Sequence, residues 1–482
     1  MRRSLAALLT TMAAGLLAAP GAMAASRVES DVLDAVRAAG FDKVYDWGAD
    51  ADTSDKPGAP ATRLPNVDVA VLDLSPGGAV RGVAHVLYSR DQPGGLVVPT
   101  DRRTLGSESV DYRRWSTAAY DSDAEYDGTA TLTGTRGAGT RFMSPYPASL
   151  LKSMVLYAVT RLADRGPIDP TKDYLYPGGD GGLCGAATPE TRTVDKWSRD
   201  MIETSSNRAT CALLTLLHRT VTADGTGVDF LNADLARIGL GSLQLRGTDP
   251  KTGTRWTPGE ITMTSLDTAK LFLLFEGGKG TLWRTPAGRK VDAALLSDAG
   301  RARIQSYLAG QAFHEVLSTG NWCGHKTSFT GDRIYPSPGI PALVPAKWLD
   351  PDTGIVGVPS EGVFYATDAR PCNAQAEVTF LHKTGLTTNA GSDAGIVRSL
   401  PGKPFRHYVI AVTSNLGYRY GDPELGPLLG TPCFSAAVEY VCYTERLAKL
   451  GGAIDTALAG RGPAKGKAQR NTGTATRRPV RP

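Results

Sequence analysis

The apolar positions of this chain fall into blocks of helical and strand period. Ser26-Arg27-Val28-Glu29 has the form of a capping box. Val28, Val32 and Val36 follow at helical spacing before Gly40, which predicts a first helix. Residues 47–65 are polar, with several Gly and Pro, and predict a loop. Val67 to Leu74 turns Val67, Val69 and Val71 to one side and ends at Ser75-Pro76-Gly77-Gly78, the pattern of a strand and its turn. Residues 86–128 show no dominant period and predict strands with a loop-rich insertion. Thr129 to Phe142 predicts a strand pair.

From Ser149 the period changes. Leu151, Met154, Val155, Ala158 and Leu162 share one helical face, with Pro145 and Pro147 ahead of them. A Gly-rich loop spans Gly178 to Gly185, and a Leu-rich helix follows Asn207. Further helices are predicted near 228–238, 264–276 and 296–308. Residues 324–375, rich in Pro and Gly, predict an insertion. Val378 to His382 and Tyr408 to Thr413 predict strands, and a helix from Phe434 to Leu450 is expected to stop at Gly451-Gly452. The predicted fold class is therefore α/β: an antiparallel sheet flanked by N- and C-terminal helices, with an inserted all-helical subdomain. No internal repeat or interdomain linker is evident, so residues 26–459 are expected to form the folded domain.

Composition narrows the classes. With 482 residues, 41% hydrophobic and 21% charged, the chain is neither a disordered polymer nor a polytopic membrane protein. Its net charge of +5 is uneven. Arg2 and Arg3 sit at the start, and residues 460–482 carry seven basic side chains and no acid, so the body between is mildly acidic. That argues against a nucleic-acid partner for the folded part. Residues 460–482 predict a disordered basic tail, one able to touch anionic cell-wall polymer. Arg2-Arg3, the apolar run Leu5 to Ala19 and Ala22-Met23-Ala24 predict an export signal over residues 1–24, with no transmembrane segment. Export suits the even cysteine count: Cys184, Cys211, Cys323, Cys372, Cys433 and Cys442 predict up to three disulfides, taken here as pairs in sequence order. No C-x-x-C or His cluster has metal-ligand spacing, and no metal or cofactor is expected.

Three short motifs carry the chemistry. In Ser149-Leu150-Leu151-Lys152, positions i and i+3 put a hydroxyl beside an amine at a helix start. A desolvated lysine can lose its charge and take the serine proton. Ser205-Ser206-Asn207 precedes the Leu-rich helix, and Lys383-Thr384-Gly385 continues a predicted strand, where the glycine would let a ligand backbone lie close. Alone, the first is an ordinary polar helix start and the second an ordinary N-cap. Lys251-Thr252-Gly253 repeats the third motif after an Asp-Pro turn, and His325-Lys326-Thr327-Ser328 nearly does. Only Lys383 lies between two strands.

In that order, S-x-x-K on a helix, S-x-N between helices and K-T-G on a strand resemble the class A β-lactamases and penicillin-binding proteins. The likeness spans roughly residues 129–450. It implies that Ser149 is acylated, that Lys152 is its base or orients one, and that Ser205 relays a proton to the leaving nitrogen. It further implies that Asn207 binds the substrate's amide side chain and that Lys383 and Thr384, followed by Gly385, hold the substrate carboxylate. The backbone N–H groups of Ser149 and Leu386 would form the oxyanion hole. Two departures stand out. Ser206 replaces the usual Asp, and the deacylating Glu in an E-x-x-L-N loop has no match. Asp249 of Asp249-Pro250 is the nearest substitute, one carbon shorter and otherwise a plain turn residue. HExxH, P-loop and GxSxG motifs are missing from the sequence, and strand alternation turns His382 away from Lys383. The expected activity is a secreted serine acyl-enzyme hydrolase opening a β-lactam or a related amide. The alternatives are a peptidoglycan D,D-peptidase on the same fold, or a non-catalytic domain that binds cell-wall material or is acylated by it.

Overall fold

Runs of Val, Ile, Ala and Leu that bury both faces build the centre of the molecule. The computed structural model describes residues 26–46, 59–116, 131–132, 138–323, 339–421 and 445–461. Six strands form one antiparallel sheet: β1 Val67–Leu74, β2 Val80–Ser89, β3 Gln92–Val97, β4 Val378–Thr387, β5 Ala390–Ser399 and β6 His407–Ser414. Their spatial order is β4-β5-β6-β1-β2-β3, so the two ends of the chain meet between β6 and β1, with Ile410 opposite Val71. All eight residues of β1 are buried. The one-sided alternation expected there is therefore corrected, because a central strand is covered on both faces.

Val67, Val69 and Val71 face helices α1 Arg27–Ala38 and α8 Glu445–Leu458. Ala70, Leu72 and Leu74 face the helical block. That block consists of α2 Lys152–Arg165, α3 Val194–Glu203, α4 Asn207–Arg219, α5 Gly227–Arg237, α6 Ser265–Glu276 and α7 Asp298–Ala309. Residues 152–162 of α2 are buried all round, so its predicted single apolar stripe is also corrected. α2 lies at the centre of the block, and its polar residues are hydrogen-bonded inside: Thr160 Oγ1 donates to Leu156 O at 2.8 Å and Arg161 Nε to Asp234 at 3.1 Å.

Three other expectations change. Residues 86–97 belong to the sheet rather than to an insertion. β5, which opens with Ala-Gly-Ser-Asp-Ala-Gly before Ile396 and Val397, carries no strand signal in its first half, because its glycines serve packing: a Cβ on Gly395 would lie 2.5 Å from His382 Cβ. α8 runs straight through Gly451-Gly452. A Cβ on Gly451 would lie 2.4 Å from Leu317 O, so close backbone approach, not termination, explains this glycine.

Of the 324–375 insertion, residues 339–375 are described. They include the hairpin Ile355–Val358/Val363–Asp368 and the short helix Arg370–Gln375. Cys323–Cys372 ties this segment to the main chain, and Cys184–Cys211 ties the Gly-rich loop to α4, both pairs in sequence order. Residues 1–24, Cys433, Cys442, Phe434, Lys326 and residues 462–482 lie outside the described residues. Among the described residues no helix is long and apolar enough to cross a membrane, and no cluster of His, Cys, Asp and Glu could hold a metal ion.

Candidate active site

The sheet edge formed by β4 meets the start of α2. Pro147 leads into a single 3-10 turn, Ala148–Leu151, whose continuation is α2. Ala148 has φ +49° and Ser205 has φ +55°. Left-handed backbone at a non-glycine costs about 1–3 kcal/mol and persists only where its surroundings enforce it. Of the four non-glycines with left-handed backbone among the described residues, these two meet at one spot: Ala148 precedes Ser149, and Ser205 lies in the bend between α3 and α4. Along residues 142–156 Ser149 alone is partly exposed, so a ligand can reach its hydroxyl.

The strain brings oxygens onto one amine. Lys152 Nζ lies 2.9 Å from Ser149 Oγ, 2.5 Å from Ser205 O, 3.0 Å from Ser205 Oγ and 2.8 Å from Asn207 Oδ1. An ammonium has three hydrogens, fewer than these four oxygens. Ser205 O and Asn207 Oδ1 can only accept. A neutral amine meets both with its two N–H bonds and leaves its lone pair for a serine O–H. The environment favours that form. Burial first, and the neighbouring Lys383 second, hold Lys152 well below the ordinary lysine range.

Lys383 completes the cluster. Its Nζ donates to Ser205 Oγ at 3.0 Å and to the carbonyl of Thr384 at 2.7 Å. Ser205 Oγ is thus shared by two lysines from distant segments. Burial lowers Lys383 to about 7, against the opposing pull of Asp393 and Glu315. Thr384 opposes Asp393 in the ladder, so by alternation its side chain takes the face of His382 and Asp393 rather than that of Lys383. His382, bonded to Asp393 at 2.9 Å and stacked on Phe380, is a buried structural residue.

Gly385 corrects an expectation. The space its missing side chain leaves is taken by the chain itself: a Cβ there would lie 2.4 Å from Pro147 O, 2.5 Å from Ser392 Oγ and 2.7 Å from Leu150 N. Ser392 Oγ donates to Pro147 O at 2.6 Å. The glycine docks the Ser149 turn onto the strand; it does not open room for a ligand. Leu386, next along the same strand, packs half-buried against Trp322, Tyr365 and their neighbours.

Asp249 is not brought into the cluster. Its carboxylate accepts from the N–H of Lys251 at 2.8 Å and of Thr252 at 3.0 Å, which hold it below the ordinary aspartate range. The Lys251-Thr252-Gly253 turn packs under α4, with Gly253 against the backbone of Cys211. Two residues near the cluster went unnoticed in the sequence. Trp256 lies with its ring 5.6 Å from Lys152 Nζ. Glu361, on the insertion hairpin, accepts from Thr204 Oγ1 at 3.2 Å and acts electrostatically on Lys152. Neither has a local sequence signal, since each reaches the site only through the path of a loop.

A serine hydroxyl on a desolvated lysine, beside a second serine bridging two amines, is equipped for acyl transfer. Residues 140–331 match the model of the beta-lactamase enzyme family. The matched segment holds Ser149, Lys152, Ser205 and Asn207; Lys383 lies beyond it, and the fold brings it in. Among solved structures, the chain is similar to a class A beta-lactamase from Bacteroides cellulosilyticus (13% identity, 89% of this chain and 98% of that chain covered, TM-score 0.42). It is also similar to a beta-lactamase from Sphaerobacter thermophilus (15% identity, 89% and 95% covered, TM-score 0.40). A third is a PBP-A mutant held as an acyl-enzyme complex with penicillin G (13% identity, 89% and 95% covered, TM-score 0.39). No curated protein sequence matches the chain.

Proposed function

We propose that this beta-lactamase-like hydrolase works through an ester on Ser149, formed from a β-lactam or a related peptide amide. The single observation that carries the proposal is the position of Ser205 Oγ, 3.0 Å from both Lys152 Nζ and Lys383 Nζ while Lys152 also meets Ser149. In the proposed acylation, the Lys152 lone pair takes the Ser149 proton as Oγ bonds to the carbonyl carbon. The N–H groups of Ser149 and Leu386 receive the oxyanion. On collapse the C–N bond breaks, and Ser205 passes its proton to the leaving nitrogen and is reprotonated from Lys152. Asn207, with Oδ1 on Lys152, keeps its Nδ2 hydrogens for the substrate's amide carbonyl. The Lys383 ammonium holds the substrate carboxylate; the Thr384 side chain, turned to the other face of the strand, is not given the carboxylate-binding part that the resemblance implied. Water then clears the ester. Two disulfides support an oxidising, extracytoplasmic location, in line with the export signal read at residues 1–24.

A peptidase-like or slowly turning-over enzyme is the second proposal, favoured by Asp249 being committed to its own turn. A time-resolved mass spectrum after mixing with penicillin tests both. An adduct on Ser149 that clears within seconds supports the lactamase, and one that persists supports the slow enzyme. Ser149→Ala should abolish the adduct, and labelling that survives this change would remove Ser149 from the mechanism.

A further inference from the structure

The Pro- and Gly-rich insertion does more than decorate the domain. It closes on the bend that presents Ser205. Ala312 N donates to Glu203 O at 2.8 Å and Gln311 Nε2 to Ile202 O at 3.0 Å, so the segment entering the insertion grips the end of α3. Lys347 pairs with Glu203 at 2.7 Å, and Trp348 Nε1 donates to Gly310 O at 2.8 Å. The Cys323–Cys372 disulfide and the edge-on contact of Trp322 with Tyr365, centroids 4.8 Å apart, hold the hairpin on this base. At its tip the single turn Pro359–Glu361, followed by left-handed Gly362 (φ +68°), carries Glu361 to Thr204. The Thr204 hydroxyl shares its hydrogen between Glu361 and the carbonyl of Asp200, 3.2 and 3.1 Å away. The next residue is Ser205, in its strained conformation.

We propose that Glu361 is a positioning residue of the acylation centre, setting Lys152 through its charge and Ser205 through Thr204. The inference rests on the acyl-enzyme proposal for its role in turnover, but not for its geometry. Among the described residues, the groups facing Lys152 are few. β4 contributes Lys383, the hairpin contributes Glu361, the loop before α6 contributes the Trp256 ring, and Ser149, Ser205 and Asn207 are uncharged. Lys383 repels a proton on Lys152, and Glu361 is the carboxylate that opposes it. A base flanked by one cation and one anion changes its working range when either is removed. No sequence motif marks Glu361, and the insertion that carries it has no counterpart among the three motifs.

The test uses the full chain and a fluorophosphonate probe, which reports an activated serine without requiring a β-lactam. The Ser149 labelling rate is followed against pH in the wild type, Glu361→Gln, Glu361→Ala and Thr204→Val. Removing the anion favours the neutral amine, so the acid limb of the profile moves to lower pH in both Glu361 variants. Gln keeps an acceptor for Thr204 and preserves the plateau within about twofold, whereas Ala lowers it about fivefold, the loss of one hydrogen bond. Thr204→Val keeps the charge, so its limb stays in place while its plateau falls about fivefold. An unmoved limb in Glu361→Gln, or a limb moved to higher pH, overturns the proposal; a purely structural role would alter plateaus alike and leave both limbs in place. If the limbs shift as described but neither penicillin nor a D-Ala-terminated peptide acylates Ser149, the proposed function falls and the role of Glu361 stands. No labelling of Ser149 at any pH in the wild type overturns both.

Discussion

Replacing Gly385 with Ala tests how the strand and the turn that carries Ser149 are joined. The added Cβ would meet Pro147 O at 2.4 Å, Ser392 Oγ at 2.5 Å and Leu150 N at 2.7 Å. Two of these are backbone atoms of the turn that carries Ser149, so they cannot rotate aside. Restoring an ordinary contact of about 3.4 Å needs a separation of roughly 1 Å between β4 and the turn. Overpacking of this kind costs about 1–3 kcal/mol, a drop of about 1–4 °C in melting temperature for a domain of this size. The larger effect is geometric. Lys383 reaches Ser205 from β4, while Ser149 and Lys152 sit on the turn and α2, so a 1 Å shift pulls the lysine bridge apart. A misplacement of that size costs on the order of 100-fold in rate. The assay is the pseudo-first-order rate of Ser149 labelling by penicillin or a fluorophosphonate, with a thermal melt alongside. A variant that melts with the wild type and labels at its rate would show that the strand is not docked on the turn as described.

Asp249→Asn should leave both labelling and adduct clearance within about twofold, because an amide oxygen still accepts the N–H bonds of its turn; slowing of clearance by more than tenfold would reinstate Asp249 as the water-activating base. Gly451→Ala should lower stability in a denaturant titration although Ala favours a helix by about 1 kcal/mol, since its methyl meets Leu317 O; a gain in stability would contradict the close packing. Lys383, lowered to about 7, is charged below that pH and neutral above it in the free protein. The KM of a carboxylate-bearing substrate should therefore rise as pH passes upward through about 7, whereas a substrate lacking the carboxylate should not show this rise. Folding stability should also rise with pH from about 7 toward the ordinary lysine value, because the unfolded chain binds the extra proton across that window; a flat denaturation midpoint would remove Lys383 from this account.

Much of the site was legible as letters. Ser149 and Lys152 declare themselves by i, i+3 spacing at a helix start, which local geometry enforces. Lys383 could be preferred over Lys251 because one follows a strand and the other a turn, again a local distinction. The capping box at Ser26 and the strand at Val67 also follow from short-range rules. Tertiary packing decided the rest. Gly451 and Gly385 look like a stop and an opening, yet each is a gap filled by a neighbour distant in sequence, Leu317 in one case and Pro147 in the other. The first half of β5 forms from residues of poor strand propensity because β4 and β6 flank it, and at Gly395 a side chain would meet His382. The left-handed backbone of Ser205, the weakened hold of Lys152 on its proton and the arrival of Glu361 depend on which segments surround them and exclude water. Sequence supplied the candidate groups by type and spacing; protonation, strain and the choice of neighbours are set only when burial lowers the local dielectric and fixes the distances between them.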